Sequence, residues 1–519
     1  MTNSRTWGVV GIACLAGALV IGTVAAQEGS GARVFPMLLS NVSLPAIDRG
    51  IREFDPPRPP RSQRTAQINH GTPGTAPFLR GSIIVKFRAG TAATAQRAML
   101  ARVNGSATRA LSYASFDIVS IDASDDPEAV AGRLAAQPDV EYAQARYRVY
   151  PSFVPNDPLY TRQWNFPSID MERAWDINPG ATTSITVAVL DSGVAYRSAM
   201  MTYNAGPIHF GPFGPLFPAL GLVTIPFAAA PELGGPDRFV APRDFIWDTA
   251  MPLDLDGHGT HVAGTVGQLT NNGVGVAGVA FNVRIMPVKV VDGAWDAVFN
   301  SPFIGTDDVV ARGIRYAVDN GARVLNMSIG RNGFPAPVVK DAVSYAVSKG
   351  AFVVIAAGNG FEDGNLVERL AEFAPSIDGA VAVGAVGQGK RRAHYSTTGP
   401  YVELAAPGGD QRADGTSGGI LQQTYDLDLV DTYLDGPARY KAPRFDSFAY
   451  VFFQGTSMAT PHVSGFAALL MQQGITSPAA IEAVMKRYAT DLGPQGPDNA
   501  YGHGLINPRA SLRGLGLVK

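Results

Sequence analysis

Residues 184–194 read "SITVAVLDSGV". The run is almost wholly apolar, with no polar-apolar alternation, and it ends abruptly at Asp191 and a Ser-Gly turn. Such a run predicts a strand buried on both faces rather than one with a wet side. Five more runs read the same way: "VRIMPVKVV" (283–291), "ARVLNMSIG" (322–330), "AFVVIAAGN" (351–359), "AVAVGAVG" (380–387) and "YVELAAPG" (401–408). Helical patterns separate several of them, at 306–320 and 337–349. Buried strands alternating with helices predict an α/β fold with a doubly wound parallel sheet. Two stretches break the rhythm and read as inserts: 197–245, rich in Phe, Pro, Gly and Ala, and 409–453, polar and rich in Tyr and Asp.

Toward the N-terminus the character changes. Residues 1–26 carry one Arg, then an apolar run ending in Val24-Ala25-Ala26. They read as a secretory signal cleaved after Ala26, with no stable membrane association expected thereafter. Its loss removes Cys14, the only cysteine, so an exported chain must be stable without disulfides. Residues 27–75, with "DPPRPPRSQR" at 55–64, read as a disordered Pro-rich linker. Residues 76–150 alternate as strand, helix, strand, strand, helix, strand, with Asp126 and Pro127 opening the second helix. That pattern predicts a small ferredoxin-like α+β unit. The remainder, 151–519, holds the large sheet. With 46% apolar and 17% charged residues and a net charge of −2, the chain is globular, and nothing in its charge points to nucleic acid.

In open parallel sheets, reactive groups gather beyond the carboxyl ends of the strands. Asp191 ends the first strand and Asn359 a later one. His258 opens an apolar helix in "DGHGTHVAG", and Ser457 opens another in "GTSMATPHVSG". Singly, Ser457 reads as a helix cap, and Asp191 and Asn359 as turn residues. Together, Asp, His and Ser are the set that activates a hydroxyl nucleophile, with an amide as oxyanion donor. The histidine is expected to titrate near its ordinary pKa of about 6.5. His462, on the Ser457 helix, reads as packed structure, and His261 as a hydrogen-bonding support. The spacing "HGTH" lacks the glutamate of a zinc motif.

The blocks "VAVLDSGV", "GHGTHVAG", "NMSIG", "AAGN" and "GTSMATPHVSG" resemble the signatures of the subtilisin family of serine proteases, in the family's order of Asp, His, Ser. With "YGHGLINPRAS" at 501–511, the resemblance covers roughly residues 155–515. It implies a secreted serine endopeptidase made as an autoprocessed zymogen. Ser457 would be the nucleophile, His258 the general base, Asp191 its orienting carboxylate, and Asn359 an oxyanion donor. An esterase would instead show G-x-S-x-G and the order Ser, Asp, His. A binding scaffold would lack one of the three groups.

The resemblance carries further expectations. Extended protein or peptide substrate would pair with "NMSIGRNG" (326–333), with Ser328, Ile329 and Gly330 lining one wall of the primary pocket and Ala356, Ala357 and Gly358 the other. Beyond Asn359 the family pattern is lost in "GFEDGNLVERLAEF", where Glu362, Asp363 and Glu368 could make the pocket floor acidic. "LTNNGVGVAG" (269–278) and "VPNDP" (154–158) resemble a thermitase-like structural Ca²⁺ site. Its ligands would be Asp157 and Asn272 through side chains, and Leu269, Val274 and Val276 through carbonyls. One family aspartate is replaced by Met200, leaving room for a carboxylate from an insert. The 76–150 unit resembles the family's inhibitory propeptide, cleaved between Arg146 and Val154. The mature enzyme is expected to be a monomer.

Overall fold

The strand that carries Asp191, Thr186–Asp191, lies inside the principal sheet. The computed structural model describes residues 33–35, 78–110, 114–147, 153–210, 216–434 and 436–514. Seven strands run parallel in the spatial order Arg243–Asp244, Arg284–Lys289, Thr186–Asp191, Val324–Met327, Phe352–Ala356, Ala380–Val386, Leu404–Pro407. The chain leaves Thr186–Asp191 for the edge, returns through Arg284–Lys289, and crosses to Val324–Met327 on the other side. The strand order therefore reverses around Asp191, where open α/β sheets form their crevice.

Alternate residues of each strand feed opposite cores, which is why the runs are apolar throughout. Val187, Val324, Phe352, Val354 and Val381 pack with Phe466, Ala467 and Leu470 of the helix Thr456–Gln472. Ala188, Leu190, Leu325, Val353 and Ile355 pack on the other face with Ile314 and Val343, from helices Asp307–Asp319 and Pro337–Ser348. Each fully buried Leu, Ile or Val side chain contributes about 1.5–3 kcal/mol.

Residues 78–147 form the smaller unit. Strands Ser106–Ala110, Asp117–Ser120, Phe78–Phe87 and Val140–Tyr147 make an antiparallel sheet in that order. Helices Ala93–Ala101 and Pro127–Ala135 accompany it, the second capped by Asp126, whose carboxylate accepts from the Glu128 N–H at 3.0 Å. Residues 1–26 lie outside the described residues. Of 27–75, only the strand Arg33–Phe35 is described, pairing parallel with Ile208–Phe210.

The two irregular stretches are more ordered than their composition suggests. The first forms the hairpin Ala199–Ala205/Gly221–Phe227 and ends in the edge strand Arg243–Asp244. The second forms the hairpin Ile420–Tyr425/Phe448–Phe453. Polar residues in it are buried because they hold carbonyls elsewhere: Gln422 donates to the Ala277 carbonyl at 2.9 Å and Thr424 to the Gly257 carbonyl at 2.6 Å. The stretches join where Phe227 stacks on Phe445 at 5.0 Å.

Candidate active site

The helix His258–Gly267 starts where the Asp191 strand ends, and one buried carboxylate sets its start. Asp254 accepts from the N–H groups of Asp256, Gly257 and Thr260 and from the hydroxyls of Thr260 and Ser192. It takes the place of a capping side chain for N–H groups that have no intrahelical acceptor. Gly259 lets the helix approach the strand, since a Cβ there would stand 3.1 Å from that of Asp191. His258 Nδ1 then meets Asp191 Oδ1 at 2.7 Å, and the Ser192 N–H donates to the same oxygen at 2.8 Å. Asp191 is fully buried and the His258 side chain is 12% exposed. An ionised carboxylate only accepts, so Nδ1 carries the proton. Nε2 is buried without a hydrogen-bond partner among the described residues.

Burial of the ring disfavours its charge, but Asp191, Asp256 and Asp254 together outweigh that and raise the pKa to about 9. This lies above the ordinary value of about 6.5. Asp256 accepts from the His258 N–H at 3.0 Å, and burial, then Asp254, raise its own pKa to about 6. The signal for these two aspartates was present as "DLDGH" (254–258).

Ser457 does not cap its helix. The N-cap is Gly455, and Ser457 Oγ donates to the Ser328 carbonyl at 3.0 Å rather than to His258. Ser328 Oγ donates back to the Ser457 carbonyl at 2.7 Å. Asn359 Oδ1 accepts from the Thr456 N–H and hydroxyl, both at 2.9 Å, which fixes which end of the amide faces away. A Cβ at Gly455, whose φ is 154°, would lie 3.5 Å from Asn359 Nδ2 and 3.6 Å from the Ser457 nitrogen. The two donors therefore border one space, and it stays open because residue 455 has no side chain. Pro461 falls in the second turn, where its absent N–H loses one helical bond. The helices of Ser457 and His258 pack together, with Met458 and Val262 in one core cluster.

Two segments flank Ser457. One is Ser328–Gly330, with Ile329 7% exposed; in the other, Ala356–Gly358, the Gly358 N–H donates to Thr456 Oγ1 at 3.2 Å. Of the three acids beyond Asn359, Glu362 pairs with Arg412 at the surface and Asp363 is exposed. Glu368 alone turns inward, between Gly330 and Gly358.

The 154–159 segment docks on the 269–277 loop. Asp157 accepts from the N–H groups of Asn271 (2.7 Å) and Asn272 (3.2 Å), and Asn272 Oδ1 accepts from the Val274 N–H at 2.8 Å. Met200 points to solvent at 65% exposure, while Glu232, from the same insert, reaches the loop. The Leu269 N–H donates to the Glu232 carbonyl at 2.8 Å, and Tyr450 and Gln268 hydrogen-bond its carboxylate. Burial raises the pKa of both acids, Asp157 to about 6. Among the described residues no group of three or more His, Cys, Asp or Glu forms a metal cluster. Two buried carboxylates beside the Asn272 amide and the loop carbonyls of Leu269, Val274 and Val276 are nevertheless a donor set that fits a hard cation.

The other buried histidines on these helices are structural. His261 Nε2 lies 3.1 Å from the carbonyls of both Ile420 and Val451, and burial lowers its pKa to about 3. His462 is held by Asn165 and the Met458 carbonyl, and burial lowers it to about 4.

Comparison with known proteins agrees with this geometry. The Subtilase family matches residues 182–504, and the Fervidolysin N-terminal prodomain matches 65–145. The chain is 30% identical over 401 residues to a thermophilic serine proteinase of Bacillus sp. (strain AK1), covering 76% of this chain and 79% of that protein. It is 30% identical over 345 residues to thermitase of Thermoactinomyces vulgaris, covering 66% and 94%. A solved protease structure from Pseudoalteromonas arctica superposes with a TM-score of 0.51 at 27% identity, over 70% of this chain and 99% of that one. The chain belongs to the subtilase family: it is a subtilisin-like serine protease with an N-terminal prodomain.

Proposed function

We propose that Ser457, His258, Asp191 and Asn359 carry the peptide-bond hydrolysis of this subtilase. The observation behind the proposal is the 2.7 Å contact of His258 with buried Asp191, which leaves Nε2 unpartnered beside the helix where Ser457 and Asn359 border one space. Ser457 Oγ rotates from the Ser328 carbonyl and gives its proton to His258 Nε2 as it attacks the substrate carbonyl carbon. The displaced electron pair settles on the carbonyl oxygen, held by the Ser457 N–H and Asn359 Nδ2. His258 then protonates the leaving amine as the C–N bond breaks, leaving an acyl ester on Ser457. Water, deprotonated by His258, repeats the sequence and frees the acid. Asp191 stays ionised throughout and supports the imidazolium.

Protein or peptide substrate pairs with 326–333, and Ser328, Ile329, Gly330 and Ala356, Ala357, Gly358 form the pocket walls. Asp157, Asn272 and the carbonyls of Leu269, Val274 and Val276 hold a structural calcium ion, with Glu232 in place of the carboxylate missing at Met200. The ion supplies counter-charge to buried carboxylates. The protein is secreted and monomeric, and the 76–150 unit inhibits it until cleavage between Arg146 and Val154.

Ser457→Ala tests the core of this reading. The variant should fold, lose activity about a million-fold, and accumulate uncleaved with its prodomain attached, as intact mass will show. Asn359→Ala should lose about 10²–10³ and mature slowly. Maturation of Ser457→Ala in a host free of other proteases would remove Ser457 from the role.

A further inference from the structure

Glu368 is 2% exposed and sits in a loop, yet among the described residues it forms no ion pair. Its Oε1 accepts from the N–H groups of Arg331 at 2.6 Å and Leu370 at 3.1 Å. The nearest guanidinium, that of Arg331, is already spent on both oxygens of Asp307 and on the carbonyls of Asn332 and Phe334. The side chain passes between the two segments that flank Ser457. A Cβ on Gly330 would overlap the Glu368 carboxyl, and a Cβ on Gly358 would stand 3.0 Å from the Glu368 Cβ and 3.5 Å from Oε2. Both walls are glycine where this side chain crosses them. The loop is pinned in place: the Arg369 N–H donates to the Arg331 carbonyl at 2.9 Å, and Asn365 bonds Thr398 through both ends of its amide. Burial pushes the pKa of this carboxyl, held only by backbone donors, up to about 8, so its charged form is disfavoured until a cation arrives from outside to offset it.

We infer that Glu368 is the specificity-determining floor of the primary pocket, and that it selects peptides with Lys or Arg on the acyl side of the cleaved bond. The inference rests on Ser457 being the nucleophile. A long basic side chain entering between Gly330 and Gly358 brings its charge to Oε2 and replaces lost solvation with a charge-assisted hydrogen bond. The chain's own sequence is consistent with this. Arg146 and Arg148 are the only basic residues in 143–161, and Arg148 directly follows the last prodomain strand, Val140–Tyr147. Cleavage after Arg148 places Val149 at the mature N-terminus.

The test uses purified mature enzyme and peptides that differ only at the acyl-side residue: Arg, Lys, Met, Phe and Ala. Arg and Lys peptides should exceed Met in kcat/KM by about a hundredfold. In Glu368→Gln that ratio should collapse toward one. A preference for Ala would mean that the carboxyl merely plugs the pocket. A preference for Phe or Met, or an unchanged ratio in Glu368→Gln, would equally overturn the inference. Should Glu368→Gln fail to fold, wild type decides alone: benzamidine should inhibit competitively and neutral benzyl alcohol should not. Equal or absent inhibition by the two would overturn it. Wild type that digests casein without preferring Lys or Arg refutes only this inference, whereas folded, processed wild type that cuts neither casein nor peptides refutes the role of Ser457 as well.

Discussion

Replacing Asp256 with Asn should lower the pH at which the activity of this protease rises. In the proposed mechanism His258 must be neutral to accept the Ser457 proton, so kcat/KM should rise as the ring deprotonates. Its pKa stands at about 9 because burial is outweighed by Asp191, Asp256 and Asp254. Asp256, at about 6, is itself ionised throughout the interval in which His258 titrates. Asn can still accept the His258 N–H that Asp256 accepts at 3.0 Å, so the substitution removes charge and keeps the turn. For two charges about 6 Å apart at an effective dielectric of about 40, between a protein surface and bulk water, the interaction is about 1.4 kcal/mol, or one pK unit. Removing a negative neighbour destabilises the imidazolium, so the ascending limb should move down by about one unit. The assay is kcat/KM against pH on an uncharged peptide, where the position of the limb is independent of any change in amplitude. Raising the salt should shrink the difference, since Asp256 is partly exposed. A wild-type limb near 6.5, or coincident limbs in the two proteins, would refute the reasoning.

Lys289 and Asp296 form a fully buried pair at 2.8 Å, and Lys289 stands opposite Asp191 in the sheet register. Lys289→Met strands the Asp296 charge and should destabilise the inactive Ser457→Ala form by about 3–5 kcal/mol in denaturant titration, with much of the loss recovered by adding Asp296→Asn. A loss under about 1 kcal/mol would contradict the burial argument. Calcium at about a hundred times its dissociation constant should stabilise the protein by about 2.7 kcal/mol. The melting temperature should therefore differ between calcium and chelator in wild type and be nearly equal in Asp157→Asn. Equal values in wild type would remove the calcium assignment.

The sheet and the triad region were legible because they depend on local chemistry. A strand buried on both faces must be apolar at every position, and a group presented at its carboxyl end must follow the run, as Asp191 and Asn359 do. His258 and Ser457 were legible as polar residues opening otherwise apolar helices. The hairpin Ile420–Tyr425/Phe448–Phe453 was not. Its buried Gln422 and Thr424 are satisfied by carbonyls more than a hundred residues away in sequence, so nothing local distinguishes them from loop residues. Glu232 escaped notice for the same reason: the gap at Met200 was visible, but the carboxylate that meets the calcium-type loop comes from later in the insert.

The carboxylates divide by what the fold gives each one. Asp254 takes five donors and so fixes a helix start. Asp296 has Lys289, and Glu403 has Lys486 at 2.6 Å. These are satisfied by the chain itself and explain stability. Asp191 has one imidazole, which in the proposed mechanism gains and loses a proton in every turnover, so its partner is internal but changes charge. Asp157 and Glu232 face each other's charge across a loop, and among the described residues the hydrogen bonds to the Glu368 carboxylate come from backbone N–H groups. On the readings proposed above, the compensating cation for these three comes from outside the chain: a metal ion for the first two, a substrate side chain for the third. A buried acid that its own fold leaves without a cation is therefore the feature that separates binding sites from structural pairs in this protein. Glu368 differs from Asp157 and Glu232 in lying between Gly330 and Gly358, in the two segments that flank Ser457. On the proposed reading its cation comes and goes with each substrate rather than remaining bound.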